Sequence, residues 1–227
     1  MLNVLLKGQT AYSSPEAWFY DFFIAKGVVD LMDHVTLPIF TSLSKENRLL
    51  DVGCGGGHIL VSLAKRGFSS LSGIDLCFDQ VKRAKKRLQS IQPHAEMIQG
   101  SALYLPFPSN IVDTVISVGS IKHWPNAKQG VDECIRVLKP GGYIIILEID
   151  RGCRLDDAMS FVDRCGFPKF VKPIFLAIFR TWVAGHAFDL DDARQFFIDP
   201  LLEDKTIERL DKTPAIVMSG KKIKEIH

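Results

Sequence analysis

The sequence lacks a strong net charge of either sign. Its 227 residues include 28 lysines and arginines against 26 aspartates and glutamates, which gives a net charge of +2 and a pI of 8.2. A chain whose obligatory partner is nucleic acid usually carries a strong basic excess. The composition therefore predicts no obligatory nucleic-acid partner. A basic helix face at residues 82–87 leaves RNA open as an alternative to a simple solvated surface.

Paired cysteines are also missing. The chain has five cysteines, an odd number, and no two of them form a C-x-x-C motif. This usage indicates reduced thiols in a cytoplasmic protein, most of them packed as small apolar groups. A thiol-bound metal would depend on Cys153 and Cys165, the nearest pair, and we expect no metal site.

Long apolar runs are absent as well. The longest candidate, residues 170–184, has 15 residues and contains Lys172, Pro173 and Arg180, whereas a membrane-spanning helix needs about 20 apolar residues. The apolar stretch Met1 to Lys7 is too short for a secretory signal peptide. The sequence therefore predicts neither a spanning helix nor secretion.

What the sequence contains is an alternation of strand and helix patterns. It predicts an α/β fold with a Rossmann-like, doubly wound, mostly parallel sheet, and the length suffices for one core. Strands are predicted at residues 49–52, 70–76, 95–98, 111–118 and 143–149, and helices at residues 58–66, 78–91 and 126–138. Two further runs, residues 206–211 and 215–220, flank a turn and predict a C-terminal antiparallel hairpin.

The most informative stretch joins the first strand to the first helix. Asp51 ends the apolar strand, and the loop that follows contains Gly53, Gly55 and Gly57. Glycines permit positive φ and let a ligand approach the main chain closely, while the helix N-terminus offers unpaired N–H groups. Asp75 ends the second strand, where nucleotide-binding βαβ units place a carboxylate on the ribose hydroxyls. Together these features predict a cofactor that contains a nucleoside.

The spacing argues against a dinucleotide. The dinucleotide fingerprint requires G-x-G-x-x-G or a final alanine, but this loop is G-x-G-x-G and is followed by His58. Asp51 would repel a pyrophosphate, whereas it suits the ammonium group of a ligand that carries an amino acid. The residues favour a cationic nucleoside. An NAD-dependent oxidoreductase stays as an alternative, and so does a non-catalytic nucleoside-binding scaffold or sensor.

Four motifs follow one another along the chain: D-V-G-C-G-G-G at residues 51–57, Asp75, L-P-F at residues 105–107, and R-V-L-K-P-G-G at residues 136–142. In this order they resemble the motifs of the class I S-adenosylmethionine-dependent methyltransferases, particularly the small-molecule and quinone-ring branch. The likeness covers about residues 45–150.

The resemblance implies a cofactor, S-adenosylmethionine, and a set of residues that bind it. Asp51 and the main chain of residues 53–57 would hold the methionine end, Asp75 the ribose, and Leu76 the adenine. The family usually has an acidic residue after the third strand, but this chain has Ser101 and Ala102 there. The implied cofactor site comprises Asp51, Gly53, Cys54, Gly55, Gly57, Asp75, Leu76, Ser101, Ala102 and Val118.

The implied reaction is direct displacement, in which a methyl group moves to a small, apolar or aromatic acceptor. The candidate catalytic residue is His123, because it follows the fourth strand and its ordinary pKa suits proton abstraction; the alternative is a loop histidine that only closes over the cofactor. Tyr12, Glu148 and Asp150 are weaker candidates. The motifs that amino-group and ring-carbon nucleic-acid methyltransferases carry after this strand are missing, which leaves RNA methylation as a minor alternative.

The acceptor is assigned to segments outside the cofactor core. We divide the chain into an N-terminal helical cap (1–44), the core (45–150), a substrate-cap insertion (151–188) and a C-terminal helix and hairpin (189–227). The apolar run 170–184 has three interpretations: a lid helix packed on the N-terminal aromatics, a wall of an acceptor pocket, or an interfacial helix whose Lys172 and Arg180 face lipid headgroups. Candidate acceptor residues are Tyr12, Trp18, Trp124, Phe175 and Phe179.

Overall fold

A computed structural model of the protein describes residues 27–33 and 43–224. The described residues form one seven-stranded sheet in the order β3-β2-β1-β4-β5-β7-β6. The strands are β1 (Arg48–Val52), β2 (Ser70–Asp75), β3 (Glu96–Gln99), β4 (Val112–Val118), β5 (Leu138–Ile149), β6 (Leu202–Arg209) and β7 (Ala215–Lys222). The first five are parallel, while β7 pairs antiparallel with both β5 and β6. The predicted fold class and its antiparallel hairpin are confirmed.

Helices connect the strands and cover both faces of the sheet. They are α1 (His58–Lys65), α2 (Phe78–Leu88), α3 (Ala127–Val137), α4 (Leu155–Arg164), α5 (Lys172–Ile178) and α6 (Leu190–Phe196). A 3₁₀ turn (Ile121–His123) follows β4, and a π-helical turn (Phe179–Ala184) continues α5. Residues 27–33 are also helical, and two of them, Leu31 and Met32, are buried. None of these described helices is long and apolar enough to cross a membrane.

The core lies in two layers because neighbouring residues of a strand point to opposite faces. In β1, Leu49 belongs to the layer that includes α1 and α4, whereas Leu50 belongs to the layer that includes α3 and α6. Strands buried on both faces appear as continuous apolar runs in the sequence, as β4 and β5 do. This arrangement explains why the central strands could be located from hydrophobicity alone.

Several details of the elements differ from the sequence-based expectation; β6, for example, spans Leu202–Arg209 rather than residues 206–211. The fifth strand begins at Leu138 rather than Tyr143, because the residues after α3 are extended and Leu138 already pairs with Val112; a register shift accommodates the Pro140–Gly142 region. In α2, Phe78 is exposed although it shares a helical face with Val81 and Ala84, while Gln80 is buried. The helix ends after Leu88, which leaves Ile91 outside it.

Candidate functional site

The carboxyl ends of β1, β2 and β4 meet at one edge of the sheet and surround two adjoining cavities. Ligands in open α/β sheets bind at this edge. The first cavity is lined by Val28, Val29, Asp51, Gly53, Cys54, Gly55, Gly56, His58, Ile59, Asp75, Gln80, Val118, Gly119, Ser120 and His123. The second is lined by Gly53, Ile74, Asp75, Leu76, Gly100, Ser101, Ala102, Leu103, Ser120, His123, Trp124 and Pro125. Four residues belong to both linings: Gly53, Asp75, Ser120 and His123.

The glycines after β1 have different surroundings. Gly53 has a φ of +79°, and a Cβ built on it would lie 1.8 Å from Oγ of Ser120, so the loop after β4 closes directly over this residue. Gly55 has a φ of +49°, and apart from its own atoms and those of its two chain neighbours no atom of the described structure lies within 4 Å of the Cβ position. The main chain at Gly55 is therefore accessible to a ligand, as the sequence predicted for the loop.

Gly57 is placed for packing rather than for lining either cavity. It is the left-handed N-cap of α1, and a Cβ on it would lie 2.8 Å from Cβ of Ala84 in α2. The close contact brings the two helices together beneath the glycine loop. Arg87 of α2 reinforces it by donating a hydrogen bond to the carbonyl of Gly56 at 2.6 Å.

Asp51 is a buried carboxylate whose hydrogen bonding is incomplete. The side chain is 1% exposed, and its Oδ1 has no hydrogen-bond partner among residues 27–33 and 43–224. Burial, together with the charge of Asp75, raises the pKa of Asp51 to about 8. Nearly all buried polar atoms in folded proteins are hydrogen-bonded. An unsatisfied carboxylate that lines a cavity is therefore a binding feature for a cationic group.

Asp75 holds the glycine loop as well as lining both cavities. Its Oδ2 accepts a hydrogen bond from N of Gly55 at 2.8 Å, and its Oδ1 accepts one from N of Cys77 at 2.8 Å. Burial raises the pKa of Asp75, and the two main-chain donors oppose that rise. Each carboxylate oxygen has a further lone pair, so Asp75 can accept ligand hydroxyls without releasing the loop.

Gln80 was not predicted from the sequence. It lies in the first turn of α2, is 1% exposed and lines the first cavity, and its Oε1 has no partner in the described part of the chain. A glutamine in the first turn of an otherwise basic helix gives no local signal of this position. Gln80 and Asp51 thus leave two buried acceptor atoms unsatisfied beside one cavity.

His123 lines both cavities at the end of the 3₁₀ turn. Burial lowers its pKa to about 4; the charge of Lys122 acts in the same direction, and that of Glu148 opposes it. The imidazole is therefore neutral near pH 7. A neutral ring can accept a hydrogen bond, but so low a pKa makes it a weak proton acceptor.

An ion pair supports the turn that carries His123. Nζ of Lys122 lies 3.1 Å from Oε1 of Glu148, which also accepts a hydrogen bond from N of Ile149 at 2.8 Å. Glu148 is buried at the end of β5, so it ties the turn after β4 to the neighbouring strand. Its contacts are those of a structural residue. Asp150, another candidate, directly follows β5 and likewise pairs with a cation, Arg209.

The second cavity contains the residues predicted for the adenine end. Leu76 is 52% exposed there, beside Ser101 and Ala102. Trp124, a candidate for the acceptor site, lines the same cavity; its Nε1 donates a hydrogen bond to Oγ of Ser120 at 3.0 Å. A Cβ on Gly130 of α3 would lie 2.2 Å from the indole ring, so this glycine makes room for the tryptophan.

The remaining acceptor candidates do not line the two cavities. Phe175 stacks on Phe167 with ring centroids 3.5 Å apart, and Phe179 is buried against Phe161 at 5.0 Å. Both ring contacts therefore lie within residues 151–188 rather than at either cavity. Tyr12 and Trp18 lie outside the described residues.

These features suit the cofactor that the sequence implied. The unsatisfied Asp51 offers an anionic acceptor, the open Gly55 offers bare main chain, and Asp75 offers further acceptor capacity. The exposed Leu76 adds an apolar surface in the adjoining cavity. A ligand with an ammonium group at one end and a nucleoside at the other matches this order of groups.

Comparisons with known proteins agree with this geometry. Residues 50–146 match the methyltransferase domain family. The chain is 30% identical over 152 residues to demethylmenaquinone methyltransferase of Lysinibacillus sphaericus, covering 66% of this chain and 63% of that protein. It is 33% identical over 128 residues to the chloroplastic 2-methyl-6-phytyl-1,4-hydroquinone methyltransferase of Arabidopsis thaliana, covering 54% and 36%. The chain thus spans less than two thirds of the length of these relatives.

Solved structures show the same fold. An S-adenosyl-L-methionine-dependent methyltransferase from Methanococcus maripaludis superposes with a TM-score of 0.74 at 16% identity, covering 96% of this chain and 97% of that one. Geranyl diphosphate C-methyltransferase from Streptomyces coelicolor superposes with a TM-score of 0.62 at 16% identity, covering 86% and 77%.

Proposed function

We propose that this chain is a class I S-adenosylmethionine-dependent methyltransferase, to whose methyltransferase domain family residues 50–146 are similar, and that it transfers a methyl group to a small, apolar or aromatic acceptor. The observation that carries the proposal is the buried, unsatisfied Asp51 beside the open main chain of Gly55. A carboxylate kept dry without a partner costs folding free energy. A cationic cofactor would remove that cost on binding.

The proposed cofactor contacts follow the two cavities. Asp51 binds the ammonium group of the methionine end, with the main chain at Gly53, Cys54 and Gly55 around it. Asp75 binds the ribose hydroxyls. Leu76, Ser101 and Ala102 contact the adenine, Val118 contacts the cofactor from the lining of the first cavity, and Gly57 acts through the packing of α1 on α2. Gln80 joins this set as an acceptor near Asp51.

S-adenosylmethionine held by these residues would supply a methyl group on a positively charged sulfur; the acceptor atom would bond to the methyl carbon as the carbon–sulfur bond breaks, with neutral S-adenosylhomocysteine as the leaving group. The protein's contribution is chiefly orientation, which can be worth about 7–11 kcal/mol in well-aligned reactions. Ser120 closes over Gly53, and the Lys122–Glu148 pair fixes the turn that carries His123. His123 is proposed to accept a hydrogen bond from an acceptor hydroxyl or amine, which orients it; if the acceptor ionises readily, no stronger base is required.

The acceptor class is supported by the relatives and by the cap. The named substrates of the relatives are a demethylmenaquinone, a phytyl hydroquinone and geranyl diphosphate, each with an apolar or aromatic part. In this chain Trp124 borders the second cavity, and an apolar cap of α4 and α5 packs on the same core. Phe175 and Phe179 are proposed to support that cap. The four-part division of the chain and the cytoplasmic location remain predictions.

The decisive experiment uses methyl-labelled S-adenosylmethionine with purified protein and an extract of its source cells, followed by mass spectrometry of the labelled products. We expect label in apolar or aromatic metabolites. The Asp51→Asn protein is the matched control, because it should fold but lose the transfer. Label found only in RNA would contradict the acceptor class. Cofactor binding without any labelled product would favour the non-catalytic scaffold.

A further inference from the structure

Residues 164–188 of the cap are locally basic, as is the α2 face at residues 82–87. Between residues 164 and 188 there are four cationic residues and no aspartate or glutamate, although the whole chain is nearly neutral. Two of the cations, Lys169 and Arg180, are exposed. A third, Lys172, contacts Asp163 just before the segment. Residues 164–188 therefore carry a local positive charge, of which Lys169 and Arg180 are the exposed part and Lys172 is paired with Asp163 of α4.

The helix of this cap is apolar on both sides. Its inward residues Phe175, Leu176 and Phe179 pack against the core. On the outward side, Ile174 and Ile178 of the helix are 62% and 42% exposed, and Phe170 of the turn that precedes it is 81% exposed. A surface helix normally has a polar outer face, and clustered large apolar side chains in water mark an interaction site. No described residue covers this face.

We propose that the outward face of Phe170, Ile174 and Ile178, flanked by Lys169 and Arg180, docks on an anionic lipid bilayer. Apolar side chains at a helix surface enter the boundary between headgroups and acyl chains, and nearby cations are attracted to anionic lipids. The positive charge of Lys169 and Arg180 favours an anionic bilayer over a second copy of the chain as the partner. In a symmetric contact between two copies, the same positive segments would face each other.

The docking depends on the proposed function in only one respect, namely that a membrane-bound cap would give the site access to an acceptor dissolved in the bilayer. The surface itself requires neither cofactor nor acceptor. Its test can therefore be carried out without either, and a failure of methyl transfer leaves the result on lipid binding unaffected.

The test is co-sedimentation of the full chain with vesicles of phosphatidylcholine alone or mixed with phosphatidylglycerol. We expect binding to the mixed vesicles, weak binding to the neutral ones, and release by salt. The double change Phe170→Ser and Ile174→Ser should lower the partition coefficient by about tenfold, because two buried apolar side chains are lost. Lys169→Gln and Arg180→Gln should each lower it by about fivefold, the effect of one cation near an anionic surface.

Two control variants define the surface. Tyr104→Ser removes a 74% exposed aromatic ring elsewhere, and Lys86→Gln removes an exposed cation from the basic face of α2; neither should change the partition. Equal binding to neutral and mixed vesicles would overturn the proposal, as would unchanged binding of the double variant. A dimer in solution that the double variant abolishes, without vesicle binding by the unaltered protein, would identify a second copy as the occupant instead.

Discussion

Two buried carboxylates near the ends of strands in the same sheet are treated in opposite ways. Glu148 of β5 has Lys122 and the main-chain N–H of Ile149 as partners, so its charge is compensated within the fold. Asp51 of β1 is equally buried, but one of its oxygens has no partner in the described part of the chain. The comparison shows that burial of a carboxylate does not by itself indicate a binding site. A buried carboxylate oxygen without a hydrogen-bond partner in the described structure does indicate one.

The largest effect is expected from Asp51→Asn. The variant should bind S-adenosylmethionine about 100-fold more weakly, because the ligand's ammonium group would lose its buried counter-charge. The ligand-free protein should nevertheless be at least about 2 kcal/mol more stable near pH 8, because the raised pKa of Asp51 reflects a cost of ionising it in the fold. Calorimetric titration and denaturant unfolding measure the two quantities. A less stable variant would show that Asp51 has a structural partner.

Asp51→Asn also tests how the stability of the protein depends on pH. The pKa of Asp51 rises from 3.8 to about 8 on folding, so the folded chain binds more protons than the unfolded one between these values. Stability due to Asp51 is present at the acidic end and is lost as the pH rises toward 8. Unfolding curves of the unaltered protein and Asp51→Asn should therefore converge near pH 4 and separate as the pH rises. Parallel curves would contradict the raised pKa.

Glu148→Gln should lower the stability of the protein, whereas Asp51→Asn should raise it. Removing one member of a buried ion pair costs about 3 kcal/mol, because the remaining charge is left uncompensated. The side chain of Lys122 is 12% exposed, so little solvent can replace the lost partner. Denaturant unfolding should show the loss, and adding Lys122→Met should restore most of it. If Glu148→Gln left the free energy of unfolding unchanged, the distinction between the two carboxylates would be contradicted.

Asp75→Ala is expected to affect both binding and folding. Cofactor affinity should fall by about 1.5–3 kcal/mol, the range for hydrogen bonds to a charged group. Stability should fall by about 1 kcal/mol, because N of Gly55 and N of Cys77 lose their acceptor. Asp75→Asn keeps one acceptor oxygen and should lie between the two proteins in both measurements. Unchanged affinity in Asp75→Ala would place the ribose elsewhere.

The smallest effect is expected from His123→Gln. The folded-state pKa of His123, about 4, lies below its ordinary value of 6.5. The unfolded chain therefore binds the extra proton first, and the unaltered protein should lose about 1 kcal/mol of stability between pH 7 and about pH 5.5. The His123→Gln variant should lose less stability over the same pH interval. If methyl transfer is also reduced at a constant cofactor affinity, His123 acts on the acceptor rather than on the cofactor.

The part of the site that belongs to local motifs could be predicted from the sequence. Asp51, Gly53, Gly55 and Asp75 stand at fixed distances from strands whose apolar runs are unmistakable, and parallel strands bring their carboxyl ends to one edge. The strand predictions agree with the structure because β4 and β5 are buried on both faces. Asn126 was likewise recognised as a helix cap, and its side chain accepts a hydrogen bond from N of Gln129.

Contacts between distant segments could not be predicted in the same way. That Ser120 lies over Gly53 depends on how the loops after β1 and β4 meet. Gln80 is buried because the α2 N-terminus faces the cavity, although its neighbour Phe78 is exposed. For Phe175 and Phe179, composition identified an apolar segment but not which rings face the core. Such positions are decided by tertiary packing, which local pattern does not report.

The place of β7 in the sheet has a consequence during protein synthesis. Residues 215–222 lie between β5 and β6, although they are made after both. Until they leave the ribosome, the apolar edge of β5 has no neighbour on that side, and an unpaired strand edge invites association with other chains. The nascent chain must therefore keep this edge protected until residues 215–222 have been translated, which makes β7 the element that completes the sheet.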